Sequence, residues 1–204
     1  MSTTTAPIFG FEAIQRHTQD FTLPAKLDRF LFLRHGETDG NRTGTFQTPH
    51  TPLNAAGEAQ AEAAAKRLAG QKIGRIVASP MARAWRTACI AATPHGLLPE
   101  PDSLIEERVY LGLAGQKVGR MDWAVDPPGC ERLERFVRRT AQGLILAIEE
   151  HDVKSGDLLV VSHGGILLVL AALAGIAPGD DSLRRNAVPL VVSREAGRWR
   201  FDPV

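Results

Sequence analysis

Phe30-Leu31-Phe32-Leu33-Arg34-His35-Gly36-Glu37-Thr38 is the stretch on which the reading of this chain turns. Four apolar residues in a row, without polar alternation, predict a short strand buried on both faces. The run then stops in charged and small residues that a buried strand does not need. The same grammar recurs twice. Arg75-Ile76-Val77-Ala78 leads into Ser79-Pro80, and Leu158-Leu159-Val160-Val161 leads into Ser162-His163-Gly164-Gly165. Helix-forming segments lie between. Gly57 to Leu68 is rich in Ala, Glu, Gln and Lys, all good helix formers. Ser79-Pro80 reads as an N-cap and a first-turn proline, opening a helix to about Ala92. Gly129 to Glu150 carries Leu133, Phe136, Val137, Ala141, Leu144 and Ile148 at spacings of three and four, which predicts an amphipathic helix. An apolar helix follows His163 to about Ala174. Val188 to Val192 and Trp199 to Phe201 predict a closing hairpin around Ala196-Gly197. This alternation predicts an α/β protein, a three-layer α/β/α sandwich with a mainly parallel central sheet.

Outward from these elements the chain offers less. Its 204 residues suit a single domain with a substantial core. Residues 1–28 read as an extension without a legible role, in which Phe9, Phe11, Ile14 and Phe21 can pack on the domain, and residues 29–204 as the domain itself. The composition, 44% hydrophobic and 23% charged, is ordinary for a globular protein. A formal net charge of +1 gives no reason to expect nucleic acid or a membrane surface as partner. Any anion site must come from a local cluster of cations. Two cysteines, Cys89 and Cys130, do not suggest a disulfide framework, and no Cys/His spacing suggests zinc. The first residues lack the pattern of a signal peptide, and the longest apolar run, Ile166 to Ile176, falls short of the roughly 20 residues a membrane span needs. A cytoplasmic location is the expectation. Association into a homo-oligomer is left open.

Three strand ends therefore carry the chemistry. Ligands of open α/β sheets bind outside the carboxyl ends of the strands, which gathers His35, Arg83 and His163 at one edge. Arginines such as Arg34 and Arg83 hold phosphate oxygens through forked, charge-assisted hydrogen bonds. Gly36 and Gly164 would let backbone approach a ligand, and helix N-termini after Ser79 and Ser162 would add N–H groups and partial positive charge. An imidazole among cations should stay neutral, with a lone pair ready for attack. No GxxxxGK[ST] loop is present, and this chemistry needs no metal.

Together these residues resemble a known family. Leu33-Arg34-His35-Gly36-Glu37-Thr38 with Asn41 resembles the signature of the histidine phosphatase superfamily, which includes cofactor-dependent phosphoglycerate mutase. Pro52-Leu53 through Gly57 and Gln60-Ala61, then Ser79-Pro80-Met81-Ala82-Arg83-Ala84 with Thr87-Ala88, then Val161-Ser162-His163-Gly164-Gly165, match further family segments in order. Asn186 and the closing strands resemble the family's last segment, so the resemblance spans roughly residues 29 to 201. It implies a phosphoglycerate mutase-like fold, with His35 as the nucleophile that becomes phosphorylated. Arg34, Arg83 and His163 would clamp the phosphoryl oxygens, with Gly164 beside them and Asn41 adding a hydrogen bond. Glu107, in Glu107-Arg108-Val109-Tyr110, would be the proton donor, with adjacent Glu106 as the other candidate. The family's Trp-Asn pair is Gly40-Asn41 here, and its Gln-Gly is Gln47-Thr48, departures that touch the pocket rim.

The implied activity is hydrolysis of a small phosphorylated metabolite, with no cofactor. A mutase is the second reading. Mutases of the family carry a long insertion between the acid and the second histidine, whereas about 55 residues separate Glu107 from His163 here, most of them in one helix. A non-catalytic phosphate-binding or interaction module is the third reading, opposed by the presence of every motif residue. Other residues have plainer readings. Arg86 is expected to pair at the surface, Glu37 to steady its loop, and Arg135, Arg138 and Arg139 to form a solvated helix face.

Overall fold

Six strands form one sheet in the order β3-β2-β4-β1-β5-β6 in this computed structural model, which describes residues 8–177 and 185–204. The strands are β1 (Arg29–Arg34), β2 (Ile73–Ala78), β3 (Glu100–Pro101), β4 (Asp157–Ser162), β5 (Pro189–Glu195) and β6 (Arg198–Pro203). The pairs β3–β2, β2–β4 and β4–β1 are parallel. β5 and β6 close the sheet as an antiparallel hairpin turning at Ala196-Gly197. The helices are α1 (Phe11–Thr18), α2 (Asp39–Thr43), α3 (Ala55–Leu68), α4 (Ala82–Ala92), α5 (Leu133–Glu150) and α6 (Gly164–Leu173). No helix among the described residues is long and apolar enough to cross a membrane.

The continuous apolar runs are explained by helices on both faces. Successive strand side chains point to opposite sides. Phe30 and Phe32 of β1 pack with Ile14 of α1, Phe136 and Leu144 of α5 and Ile166 of α6. Leu31 and Leu33 face the other way, onto Ala64 and Leu68 of α3 and Ala88 and Ala91 of α4. The predicted three-layer α/β/α sandwich is therefore observed.

Three helix starts move, that of α3 from Gly57 back to Ala55 with Asn54 as its cap. α4 begins at Ala82 with Met81 as its N-cap, so Ser79 does not cap it. The Ser79 hydroxyl is bonded to His163 instead. α5 begins at Leu133 rather than Gly129, and Arg132 precedes it without a side-chain cap. Residues 127–132 are held in place by turn and loop contacts, including Cys130 N–H to the Pro127 carbonyl and Glu131 N–H to the Val109 carbonyl.

The start of the chain is tied into the body. Phe11 and Ile14 of α1 are buried against α5 and α6, whereas Phe21 is only half-buried. Just before α1, the Phe9 carbonyl accepts from Trp123 N–H at 3.0 Å, and the Arg120 guanidinium lies over the Phe9 ring. Gly10 has φ +77°, and a Cβ there would meet Ala124 N and Asp122 Oδ1 at 2.4 Å, so both conformation and space require glycine. Residues 8–11 thus brace the loop 118–125.

Candidate active site

β2, β4 and β1 are neighbours in the sheet, and this adjacency brings the three strand ends together. Arg34 pairs with Ser162, and Ala78 with Val161. One residue further, His35 stands beside His163 and Ser79 beside Ser162. His35 N–H donates to the Ser162 carbonyl at 2.9 Å, and Ser79 N–H to the Val161 carbonyl at 3.0 Å. The two imidazole rings lie with centroids 5.1 Å apart. His35, Arg83 and His163 are all buried, at 3%, 4% and 0% exposure.

The neighbours of His35 decide which of its nitrogens carries the proton. Its Nδ1 lies 2.7 Å from the Gly36 carbonyl, which can only accept. Its Nε2 receives a hydrogen bond from Arg83 Nε at 3.2 Å, and a guanidinium can only donate. The neutral ring therefore holds its proton on Nδ1 and presents a lone pair at Nε2. Burial, followed by the charges of Arg83 and Arg34, pushes the pKa of His35 well below 6.5, against the opposing bond to Gly36. His163 is lowered in the same direction by burial first, then by Arg83 and the other nearby groups. Its Nε2 is 2.8 Å from Ser79 Oγ, while Nδ1 is buried without a partner among the described residues.

A cavity of about 280 Å³ opens over this cluster. Arg34, His35, Asn41, Arg83 and Glu107 all line it, so five of the residues singled out by sequence share one space. Glu106, His163 and Gly164 are not among the lining residues; His163 sits fully buried behind His35. Glu107 is held by two backbone donors: Gly165 N–H to Oε2 and Arg108 N–H to Oε1, each at 3.0 Å. A Cβ on Gly164 would make only an ordinary contact, 3.6 Å from Arg34 Nε. At Gly165 it would strike Glu107 Oε1 at 2.2 Å and Trp123 at 2.8 Å. The crowded glycine of the pair is thus the second. Gly36 also has a different reason from the one expected: its Cβ would meet the Gly57 carbonyl at 2.3 Å, so glycine serves the packing of the loop on α3.

Asn41 belongs to a reciprocal cap at the start of α2. Its N–H donates to Thr38 Oγ1 at 3.0 Å, and its Oδ1 accepts from Thr38 N–H at 3.2 Å. Asn186 joins it, donating from Nδ2 to the His35 carbonyl at 2.9 Å and to Asn41 Oδ1 at 3.3 Å. Glu37 steadies its loop, as expected: Oε1 accepts from Asn54 Nδ2 at 2.9 Å. Arg86 pairs at the surface with Glu58.

Arg139 corrects the expectation of a solvated arginine face. It leaves α5 and points inward, with 16% of its side chain exposed. Nη1 donates to the carbonyls of Leu104 (2.9 Å) and Glu106 (2.7 Å), and Nη2 to that of Glu107 (3.2 Å). Nε and Nη2 also reach the two carboxylate oxygens of Glu131, each at 2.7 Å. Glu131 Oε2 in turn accepts from Val109 N–H at 3.3 Å. This pair clamps the backbone on both sides of Glu107. Arg108 is also buried, donating to the carbonyls of Glu131 (2.9 Å), Val125 (3.2 Å) and Trp123 (3.4 Å) and to the Asp126 carboxylate. Sequence reading missed these supports, because their partners lie on distant segments. Only the absence of an acidic partner one turn away from Arg139 hinted that it was engaged elsewhere.

Fold and site together define an α/β/α sandwich with paired, neutral imidazoles set among arginines at the carboxyl edge of a parallel sheet. The chain matches the histidine phosphatase superfamily (branch 1) over residues 30–202 and belongs to that family. It is similar to agropine synthesis reductase of Rhizobium rhizogenes, 35% identical over 164 residues, covering 75% of this chain and 36% of that protein. The chain thus spans about a third of the length of the first curated relatives it matches. It is similar in structure to the mycobacterial glucosyl-3-phosphoglycerate phosphatase solved with VO3, with a TM-score of 0.70 and 26% identity over 86% of this chain and 98% of that one. Mycobacterial hydrolase 1 gives a TM-score of 0.72 at 26% identity, over 86% and 96% of the two chains.

Proposed function

We propose that the protein hydrolyses small phosphate monoesters through a phosphohistidine at His35. The observation that carries this reading is the Nε2 lone pair of a buried, neutral His35 on the cavity wall beside Arg34 and Arg83. Phosphate chemistry of this kind is mainly positioning and electrostatic stabilisation. Arg34 and Arg83 hold the equatorial oxygens, where charge spreads in the transition state. Arg83 Nε, now bonded to His35, transfers its hydrogen bond to a phosphate oxygen as substrate enters. His163 donates from Nδ1 once Ser79 Oγ donates to its Nε2, an arrangement favoured by Met81 N–H, which donates to the same hydroxyl oxygen at 3.3 Å. Asn41, with its Oδ1 already engaged, offers Nδ2.

In the first step the Nε2–P bond forms and the ester P–O bond breaks, while Glu107 gives its proton to the departing oxygen. In the second, Glu107 takes a proton from water as that water attacks phosphorus. The N–P bond breaks and inorganic phosphate leaves. The short path from Glu107 to His163, occupied largely by the loop 108–132 and α5, favours water over a second substrate hydroxyl as acceptor. The test is rapid-quench trapping with a radiolabelled monoester. Acid-labile label on the wild-type chain, absent from His35→Ala, is the expected result. A chain that releases phosphate equally well with His35→Ala would refute the reading.

A further inference from the structure

The cavity beyond the phosphate position has a definite chemical character. Its outer wall is built from Phe46, Val109, Tyr110, Val118, Met121 and Trp123. The Phe46 and Tyr110 rings lie 4.9 Å apart at 40°, and the Tyr110 hydroxyl points at Met121 Sδ, 3.8 Å away. This is an aromatic and thioether surface, suited to planar or compact apolar groups.

Charge in the same space is one-sided. Among the described residues lining the cavity, the cations are Arg34, Arg83 and Arg108, and the one carboxylate is Glu107. The first two face the phosphoryl group in the reading above. Arg108 has no exposed side-chain surface, and its guanidinium is engaged by three carbonyls and Asp126. Two further cations, Lys117 and Arg120, lie outside the cavity lining, with Lys117 Nζ donating to the Thr43 carbonyl at 2.8 Å and Arg120 over the Phe9 ring. A carboxylate or second phosphate on the leaving group would therefore lose its hydration against an apolar wall, near Glu107, with no further cation among the described residues lining the cavity to receive it.

We infer that the leaving group is an uncharged alcohol with an aromatic or compact apolar body, and that monoesters bearing a second anionic group are poor substrates. This rests on the phosphatase reading and narrows it. The selectivity lies in the outer wall and is independent of the phosphate end.

The experiment compares kcat/KM of the full chain for benzyl phosphate, glycerol 1-phosphate and 3-phosphoglycerate. All three are alkyl esters, so none is favoured by an activated leaving group. Benzyl phosphate should exceed each of the others by about tenfold or more, the scale of a few buried apolar carbons. Val118→Lys, with its thermal midpoint recorded to show folding, adds a cation to the wall and should narrow the ratio of benzyl phosphate to 3-phosphoglycerate by about threefold or more. Equal or faster turnover of 3-phosphoglycerate by the wild-type chain would overturn this inference and leave the His35 chemistry standing. Release of phosphate from none of the three would overturn the phosphatase reading and this inference with it.

Discussion

Replacing Gly165 with alanine tests how the proton donor is held. The Gly165 N–H donates to Glu107 Oε2 at 3.0 Å, and a Cβ at this position would come within 2.2 Å of Glu107 Oε1. Ordinary contact begins near 3.4 Å, so the carboxyl group must retreat by about 1 Å. Retreat is not easy, because Trp123 lies 2.8 Å from the same Cβ and Arg108 N–H holds Oε1. A catalytic group misplaced by about 1 Å costs on the order of 100-fold in rate. That cost falls only where a proton is needed. An alkoxide cannot leave without one, whereas p-nitrophenolate can. Phosphohistidine formation, followed by rapid quench in a single turnover, isolates this step from the later attack of water. Gly165→Ala should slow it about 100-fold for benzyl phosphate and less than about threefold for p-nitrophenyl phosphate. Equal losses on both esters would mean that the substitution distorts the phosphate end. No loss on benzyl phosphate would mean that Glu107 is not the donor.

Three further outcomes follow from the same geometry. Glu107→Gln should reproduce the leaving-group dependence of Gly165→Ala, while Glu106→Gln, outside the cavity, leaves single-turnover rates within about twofold of wild type. Arg139→Met removes the clamp behind Glu107 and leaves Glu131 without its partner. Urea unfolding should show a loss of about 3–5 kcal/mol, and kcat for alkyl esters should fall more than for p-nitrophenyl phosphate, a split that simple destabilisation would not produce. His35 and His163 bind a proton more weakly in the folded protein than in the unfolded chain, since burial and the arginines lower both. Their contribution to stability is complete above the ordinary value of 6.5 and is lost progressively as pH falls below it. The urea midpoint should therefore drop between neutral pH and the acid range, and His35→Asn should flatten that drop.

The sheet and the reactive cluster were legible because their signals are local. A buried strand reads as an uninterrupted apolar run, and chemistry placed at its carboxyl end follows within two residues, as Arg34-His35 and Ser162-His163 do. The alternation of strands and helices pointed to a parallel sheet, but the order that sets β2, β4 and β1 side by side, and the short β3, came only with the structure. What was not legible depends on contacts between distant segments. Arg139 sits on an amphipathic helix beside two other arginines, and no pattern in that helix announces the carbonyls of Leu104, Glu106 and Glu107. Ser79 followed by proline has the local form of a helix cap, but the bond to His163 outweighs it. Gly165 and Gly164 are indistinguishable in sequence; only the approach of Glu107 separates them. The early α1 helix is amphipathic, with Phe11, Ile14 and Thr18 on one buried face, but it is only eight residues long, and its placement is decided by the α5 and α6 surfaces it covers.

The brace formed by residues 8–11 makes a segment outside the family match a support of the cavity wall. Phe9 and Gly10 hold the loop that supplies Val118, Met121 and Trp123 to the cavity wall, yet the family match begins at residue 30. A chain trimmed past Gly10 would lose the Phe9 carbonyl that holds Trp123 N–H and the ring that carries Arg120, and the wall they support would be free to shift.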